Sequence, residues 1–136
     1  MTGRSDDTSG YVRVVELPAV TAGDTSTVVM PEGMPYDARV LKAEIVPRAL
    51  ITANGTNFAT LSLQNKGPLG SGSTVIATRT WAAGSSVAGT KEAMTLSGTP
   101  ANLEVKAGDQ LQVVHGTGGA GLALPALSVI VTYLAR

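Results

Sequence analysis

Short alternations of apolar and polar residues run along most of this chain, and each ends near a glycine, proline, asparagine or serine. The segment "NFATLSLQNKG" is a clear case, with Ala59, Leu61 and Leu63 on one side and polar residues between them. An alternation of period two places successive side chains on opposite faces of a β-strand. The pattern therefore predicts strands with one apolar and one polar face.

About eight or nine such segments follow one another at nearly even spacing and are rich in β-branched residues. They are "YVRVVEL", "STVVMP", "ARVLKAEIVP", "NFATLSLQNKG", "STVIATRTW", "AMTLS", "NLEV", "QLQVVH" and "ALSVIVTYL". Many short strands separated by turn residues are typical of a sandwich or a barrel. We predict an all-β fold, a single small jelly-roll-like β-sandwich of about eight short antiparallel strands.

One segment also fits a helix. In "PYDARVLKAEIV", Ala38, Leu41 and Ile45 share a helical face, but capping residues are lacking and Pro47 would end the helix early. We therefore predict a strand here, with Leu41, Ala43 and Ile45 pointing to the core.

The first ten residues are polar, which is typical of a disordered lead. We divide the chain into a flexible N-terminal arm with the first strand (residues 1–17) and a sandwich domain (residues 18–136). The apolar run "AGLALPALSVIVTYLA" contains Pro125 and is shorter than the roughly 18 residues of a membrane span, so no membrane partner is expected. The beginning "MTGRSDDTSG" has no apolar signal-peptide core, which predicts synthesis in the cytoplasm.

Charge and composition narrow the function further. Ten basic residues balance ten acidic ones among 136, and they are scattered, which argues against a nucleic-acid partner bound by clustered Lys and Arg. The chain has no cysteine, so disulfides, thiolate catalysis and thiolate metal sites are excluded.

The most site-like stretch is "GTGGAG", Gly116–Gly121, which spells the G-x-G-x-x-G of dinucleotide-binding turns. That motif binds pyrophosphate because a helix begins directly after it. Here Pro125 and a β-branched run follow instead. We predict a long, mobile loop between the last two strands and no cofactor.

Candidate catalytic groups are sparse. His115 is the only histidine, and we expect a hydrogen-bonded structural residue rather than a ligand or a base. "GSSVA" around Ser86 misses the last glycine of G-x-S-x-G and lacks its strand–turn–helix context. We predict no catalytic residue and no metal site, and therefore not an enzyme.

Aromatic residues make up only 4% of the chain, which is few for a sugar-stacking surface. Trp81 and Phe58 are the candidates for one. We expect Trp81 to lie at the rim of the core or at a subunit interface.

The chain as a whole, and above all its end "VKAGDQLQVVHGTGGAGLALPALSVIVTYL", resembles the capsid decoration (cement) proteins of tailed bacteriophages. The resemblance implies a structural virion protein on the capsid exterior that clamps neighbouring major capsid proteins, with a homotrimer as the expected state. Several weak contacts on one rigid trimer would give it avidity.

Within that resemblance, the candidates for contact with the capsid or a neighbouring subunit are Tyr11, Val12, Arg13, Val14, Trp81 and His115. Two interpretations of "YVRVVEL" stay open: it adds to the edge of a partner's sheet, or it is the first strand of its own sandwich. The alternative function is a carbohydrate- or receptor-binding module of a phage head fibre or tail.

Overall fold

The computed structural model describes residues 11–30 and 32–136, and over those residues the protein is all-β, with one short 3-10 turn at Pro100–Leu103 and no α-helix. The strands occupy the alternating segments of the sequence. They are β1 (Tyr11–Leu17), β2 (Ser26–Val29), β3 (Ala38–Pro47), β4 (Phe58–Gly67), β5 (Thr74–Thr80), β6 (Glu92–Ala93), β7 (Thr95–Leu96), β8 (Glu104–Val105), β9 (Gln110–Gly118) and β10 (Leu127–Ala135). The predicted strand "ARVLKAEIVP" is confirmed as β3. The predicted disordered lead, residues 1–10, lies outside the described residues.

The strands form two antiparallel sheets. The first sheet has the order β1-β10-β3-β6, with β8 also paired to β3, and the second has the order β2-β9-β4-β5-β7. The chain crosses between the sheets so that its last long strand, β10, lies between β1 and β3, while β9 lies between β2 and β4. This is the strand order of a jelly roll, and it confirms the predicted sandwich.

The core lies between the two sheets and is built from alternate residues of the long strands. From β10 it takes Leu127, Val129 and Val131, and from β4 it takes Leu61 and Leu63, all of them at most 1% exposed. The residues between them point to solvent or to neighbouring loops. The predicted inward face of "NFATLSLQNKG" is therefore confirmed.

A β-bulge changes the alternation within β3. Val40 and Lys42 pair with consecutive residues of β10, which leaves Leu41 between them without a partner. The extra residue turns Leu41 outward, where it is 42% exposed, while Val40 is buried. The prediction that Leu41 points to the core is wrong for this reason, whereas Ala43 and Ile45 are buried as expected.

A similar bulge in β5 lies at Ile76. Its neighbours Val75 and Ala77 pair with consecutive residues of β4, so Ile76 is the extra residue. As a result Ile76 and Ala77 both point inward and are fully buried, although the alternation of the sequence assigns them to opposite faces.

β1 is an edge strand of the first sheet. It pairs with β10 along its whole length, from Tyr11 opposite Tyr133 to Leu17 opposite Leu127. Within this chain, then, "YVRVVEL" is the first strand of its own sandwich, and the boundary between residues 17 and 18 does not separate it from the sheet. The Tyr11 ring packs on Tyr133 and Tyr36, with ring centroids 6.1 and 5.5 Å away.

No helix in the described part of the chain is long and apolar enough to cross a membrane.

Because the bulge in β3 turns Leu41 outward, we expect its truncation to cost less stability than that of a core leucine. Leu63→Ala removes a fully buried side chain and should lower the free energy of unfolding by about 2–5 kcal/mol. Leu41→Ala, in the other sheet, removes a side chain that points outward and should change it by no more than about 0.5 kcal/mol. Urea unfolding measures both, and equal losses would contradict the bulge.

Candidate functional site

The glycine-rich stretch Gly116–Gly121 is half strand and half turn. Its first residues, Gly116 to Gly118, belong to β9 and pair with Phe58–Thr60 of β4. Only residues 119–126 connect β9 to β10, and the isolated bridge from Leu124 to Val20 holds this connection against the preceding part of the chain. The predicted long loop is therefore shorter than the sequence suggests, because the glycines continue the strand.

The turn packs closely against its own chain. The Phe58 ring lies directly over Gly118, where a Cβ atom would collide with it, and Gly121 has a positive φ of 82° beside the backbone of Gly23. The Ala120 amide donates to Asn57 Oδ1 at 2.8 Å, and the Gly121 amide donates to the Gly118 carbonyl at 3.0 Å. These amides are used within the chain, and a strand follows the turn rather than a helix. The local geometry is that of a tight connection and not of a phosphate-binding turn.

His115 lies on the inward face of β9, opposite Leu61 of β4 and Ser26 of β2. It is 2% exposed, and within the described chain neither ring nitrogen has a hydrogen-bond partner. The prediction of a structural histidine agrees with this burial, but the prediction that it is hydrogen-bonded does not. Asp109, the nearest acid in sequence, instead accepts hydrogen bonds from Asn65 and from the Lys106 amide.

A small pocket adjoins His115. Its volume is about 10 Å³, the space that one water molecule requires. The residues that line it are His115, Leu17, Pro18, Val20, Ser26, Leu61, Leu124, Pro125 and Leu127. His115 is the only one of them with a titratable side chain, and no charged side chain lines the pocket. Burial lowers the pKa of His115 below its ordinary value of 6.5, because an imidazolium in this environment would lose its hydration without gaining a counter-charge.

The serine of "GSSVA" belongs to a buried polar cluster. The Ser86 hydroxyl donates to Glu92 and accepts from Trp81 Nε1 at 2.8 Å and from Arg79 at 3.1 Å. The Arg79 guanidinium also pairs with Glu92 at 3.1 Å. With one donor and both acceptor positions engaged, the hydroxyl has a structural role. This cluster ties the loop after β5 to β6, and the sequence gives no local signal for it.

Trp81 lies entirely inside the molecule, at 0% exposure, with the Arg79 guanidinium 4.8 Å from its ring centroid. It is therefore part of the core and offers no surface to a sugar or a neighbouring subunit. His115 is buried in the same way, so neither side chain is accessible to a capsid protein or a neighbouring subunit.

The four candidates on β1 divide by face. Val12 and Val14 point outward at 58% and 57% exposure, and Tyr11 is 44% exposed. Arg13 points to the opposite side, where its guanidinium donates to the Glu32 carbonyl at 3.1 Å and pairs with the Glu32 carboxylate at 3.6 Å. Tyr11 shares the side of Arg13, where its ring packs on Tyr133 and Tyr36, so the outward surface available to a partner is formed by Val12 and Val14.

Within residues 11–30 and 32–136, no three side chains of His, Asp or Glu lie close enough together to hold a metal ion.

No protein-family model and no curated protein matches the chain. Among solved structures, it is similar to a structure of infectious bursal disease virus, strain Gx, at 16% identity and a TM-score of 0.37. The similarity covers 98% of this chain but only 36% of the viral chain. A likeness of this size identifies neither a family nor a function.

The contacts of Ser86 predict that replacing it lowers the free energy of unfolding more than replacing the adjacent Ser85. Ser86→Ala leaves the buried Trp81 Nε1 without its acceptor, which should lower the free energy of unfolding by about 1–3 kcal/mol. Ser85→Ala removes only an exposed hydrogen bond with the Ala53 amide and should cost less than about 1 kcal/mol. Urea unfolding of both variants measures the difference, and equal effects would contradict the structural role of Ser86.

His115 makes the fold sensitive to acid. Because its pKa is lowered in the folded state, the unfolded chain binds this proton more tightly. The stabilisation is complete above the ordinary value of 6.5 and is lost as the pH falls below it. We expect the free energy of unfolding to fall between about pH 7 and about pH 5, and His115→Gln to remove most of that slope. Parallel pH profiles for the two proteins would rule out His115 as the cause.

Proposed function

We propose that this chain is a structural virion protein that binds the outer surface of a phage capsid, as a homotrimer, and clamps neighbouring major capsid proteins. The chain is then made in the host cytoplasm and acts on the capsid exterior. The observation that carries the proposal is the edge of β1, which among the described residues pairs with no strand besides β10 and carries two outward valines. The sequence resemblance to decoration proteins supplies the class of partner.

An edge strand of this kind presents a row of backbone groups with which a strand of another chain can pair. Natural sheets protect their edges with lysine, proline, bulges or covering loops, because a free edge can pair with another chain. Along β1 no bulge interrupts the pairing with β10, and the outward positions Val12 and Val14 are more than half exposed. A partner strand that pairs with this edge would satisfy its backbone groups and cover both valines.

The surroundings of the two valines have the anatomy of a binding surface. Val14 lies beside Ile130 of β10, and at one end of the strand Glu16 pairs with Arg48 at 2.9 Å. Two strands away, Lys42 pairs with Glu44 at 3.7 Å. An apolar centre with a charged rim is the usual composition of a protein interface.

The small size of this surface fits a multivalent protein. One edge strand of seven residues makes a weak contact alone. Copies linked in one oligomer bind together, and the combined affinity can exceed the single affinity by about 10²- to 10⁴-fold.

A carbohydrate-binding module remains the alternative, because lectin domains share the jelly-roll fold. Its aromatic candidate from the sequence, Trp81, lies in the core, so we do not favour it.

The test uses empty shells assembled from a phage major capsid protein, with binding measured by co-sedimentation. Val14→Lys should weaken binding at least about tenfold, because a charge would be buried without a partner. Val87→Lys is the matched control, since Val87 is 63% exposed in the loop between β5 and β6 and should bind as the parent does.

Both substitutions are at exposed positions and should leave the melting temperature nearly unchanged. Equal binding of Val14→Lys and the parent would overturn the role of β1. Absence of binding by the parent, together with reproducible glycan-array signals, would overturn the capsid function in favour of the alternative. A deletion of residues 1–10 that preserves binding would assign the contact to β1 rather than to the lead before it.

A further inference from the structure

The two outer faces of the sandwich differ sharply in charge. On the first sheet, the outward side carries Glu16, Lys42 and Glu44, with Arg48 and Lys91 paired to them from adjoining segments. Among the described residues, the outward side of the second sheet carries a single charged residue, Lys66 at the end of β4, whose side chain lies beside Gly70 together with that of Gln110. The uncharged members of this side are Thr27, Val29, Phe58, Thr60, Ser62, Gln64, Val75, Thr78, Thr80, Thr95, Gln110, Gln112, Val114, Gly116 and Gly118.

We propose that these uncharged residues of the second sheet, which we call the neutral face, form the surface through which copies of this chain bind one another. The assignment extends the proposed trimer by naming its interface. The assignment follows from the composition of the neutral face and does not depend on whether the protein binds a capsid.

The register of the sheet makes the neutral face continuous. One row of paired residues crosses all five strands, from Thr27 through Val114, Ser62 and Thr78 to Thr95. The inward neighbours of these residues form the core, so the outward direction follows from the alternation. No ion pair and no long cationic side chain interrupts the row.

The side chains of the neutral face suit an interface between like surfaces. Threonine and serine hydroxyls and glutamine amides both donate and accept hydrogen bonds, so two copies can satisfy one another without a fixed charge pattern. Threonine, valine and serine also lose little rotamer freedom on contact, in contrast to lysine and glutamate. Gln112 and Gln64 are already held by a hydrogen bond of 2.8 Å between them.

Charge complementarity favours a second copy as the occupant. A partner with a charged surface would lose hydration against the neutral face and gain no counter-charge. The complementary surface must therefore be neutral as well, and among the outward sheet faces of the described chain the neutral face itself meets this condition. Two copies can stack these faces, and three can turn them toward a common axis.

The size of the neutral face sets the expected strength. At a strand spacing of about 4.8 Å and a rise of about 3.3 Å per residue, its area is on the order of 500 Å². Contact between two such faces buries on the order of 1,000 Å², the lower limit for a specific interface. Self-association should therefore depend on concentration over the micromolar range.

The experiment is sedimentation of the full chain from about 1 µM to about 100 µM, the range in which an interface of this size dissociates. The parent should form an oligomer, and Thr78→Glu should weaken the association at least about tenfold by placing a charge within the neutral face. Thr132→Glu is the matched control, because Thr132 is an equally half-buried, outward threonine of the first sheet, opposite Lys42. It should associate as the parent does.

Circular dichroism and melting temperature establish that each variant is folded, and Ser62→Glu on β4 provides a second charge at the same face if Thr78→Glu does not fold. A parent that stays monomeric at the highest concentration would overturn the proposal, as would Thr78→Glu and Ser62→Glu proteins that associate like the parent. A dimer in place of a trimer would support the neutral face and overturn only the proposed trimer. A parent protein that self-associates but does not bind shells would count against the capsid function alone.

Discussion

The apolar layer between the two sheets is the constraint on which the rest of the structure depends. Strands β3 and β10 on one side, and β4 and β9 on the other, turn alternate residues into it. A slip of one residue in any of these strands would carry its whole inward set to solvent, so the layer determines the register of both sheets. The strands that form it are distant in sequence: inward Leu17 of β1 lies opposite inward Leu127 of β10, and on the outward side of the same two strands the Ser128 hydroxyl donates to Glu16, 112 residues away. Folding must close that long loop before the first sheet is complete, which is typical of slowly folding β-sandwiches.

The same constraint decides which side chains are left for function. In the sequence, Trp81, Ser86 and His115 are the candidates for a binding or catalytic role. All three lie in the core and are at most 2% exposed. What remains outside is two surfaces of different character. One is the edge of β1 with its exposed valines, set beside ion pairs, and the other is the neutral face of the second sheet. Under the proposed function, the edge of β1 would bind the capsid partner and the neutral face would bind the protein's own copies.

Period-two alternation in the sequence predicts the all-β class, the sandwich and most of the long strands, because each long strand turns alternate residues into the apolar layer. It does not predict the bulges at Leu41 and Ile76, where one extra residue shifts the phase of a strand and local composition gives no warning. The sequence also does not predict the cluster of Arg79, Ser86 and Glu92, because these residues join a strand, a loop and a second strand through side-chain contacts alone. The exposed valines of β1 follow from the alternation, but their place at a sheet edge follows only from the topology.

We propose that a partner binds at the edge formed by β1. In an antiparallel pair, alternate amides of an edge strand face away from its neighbour, so those of β1 that do not face β10 exchange with solvent in the free protein. Hydrogen exchange of the protein, free and bound to shells, measures them directly. Binding should slow exchange in residues 12–17 and leave exchange in β4 and β5, two strands of the neutral face, unchanged. Slower exchange in β4 and β5 with no change in β1 would rule out β1 as the binding edge.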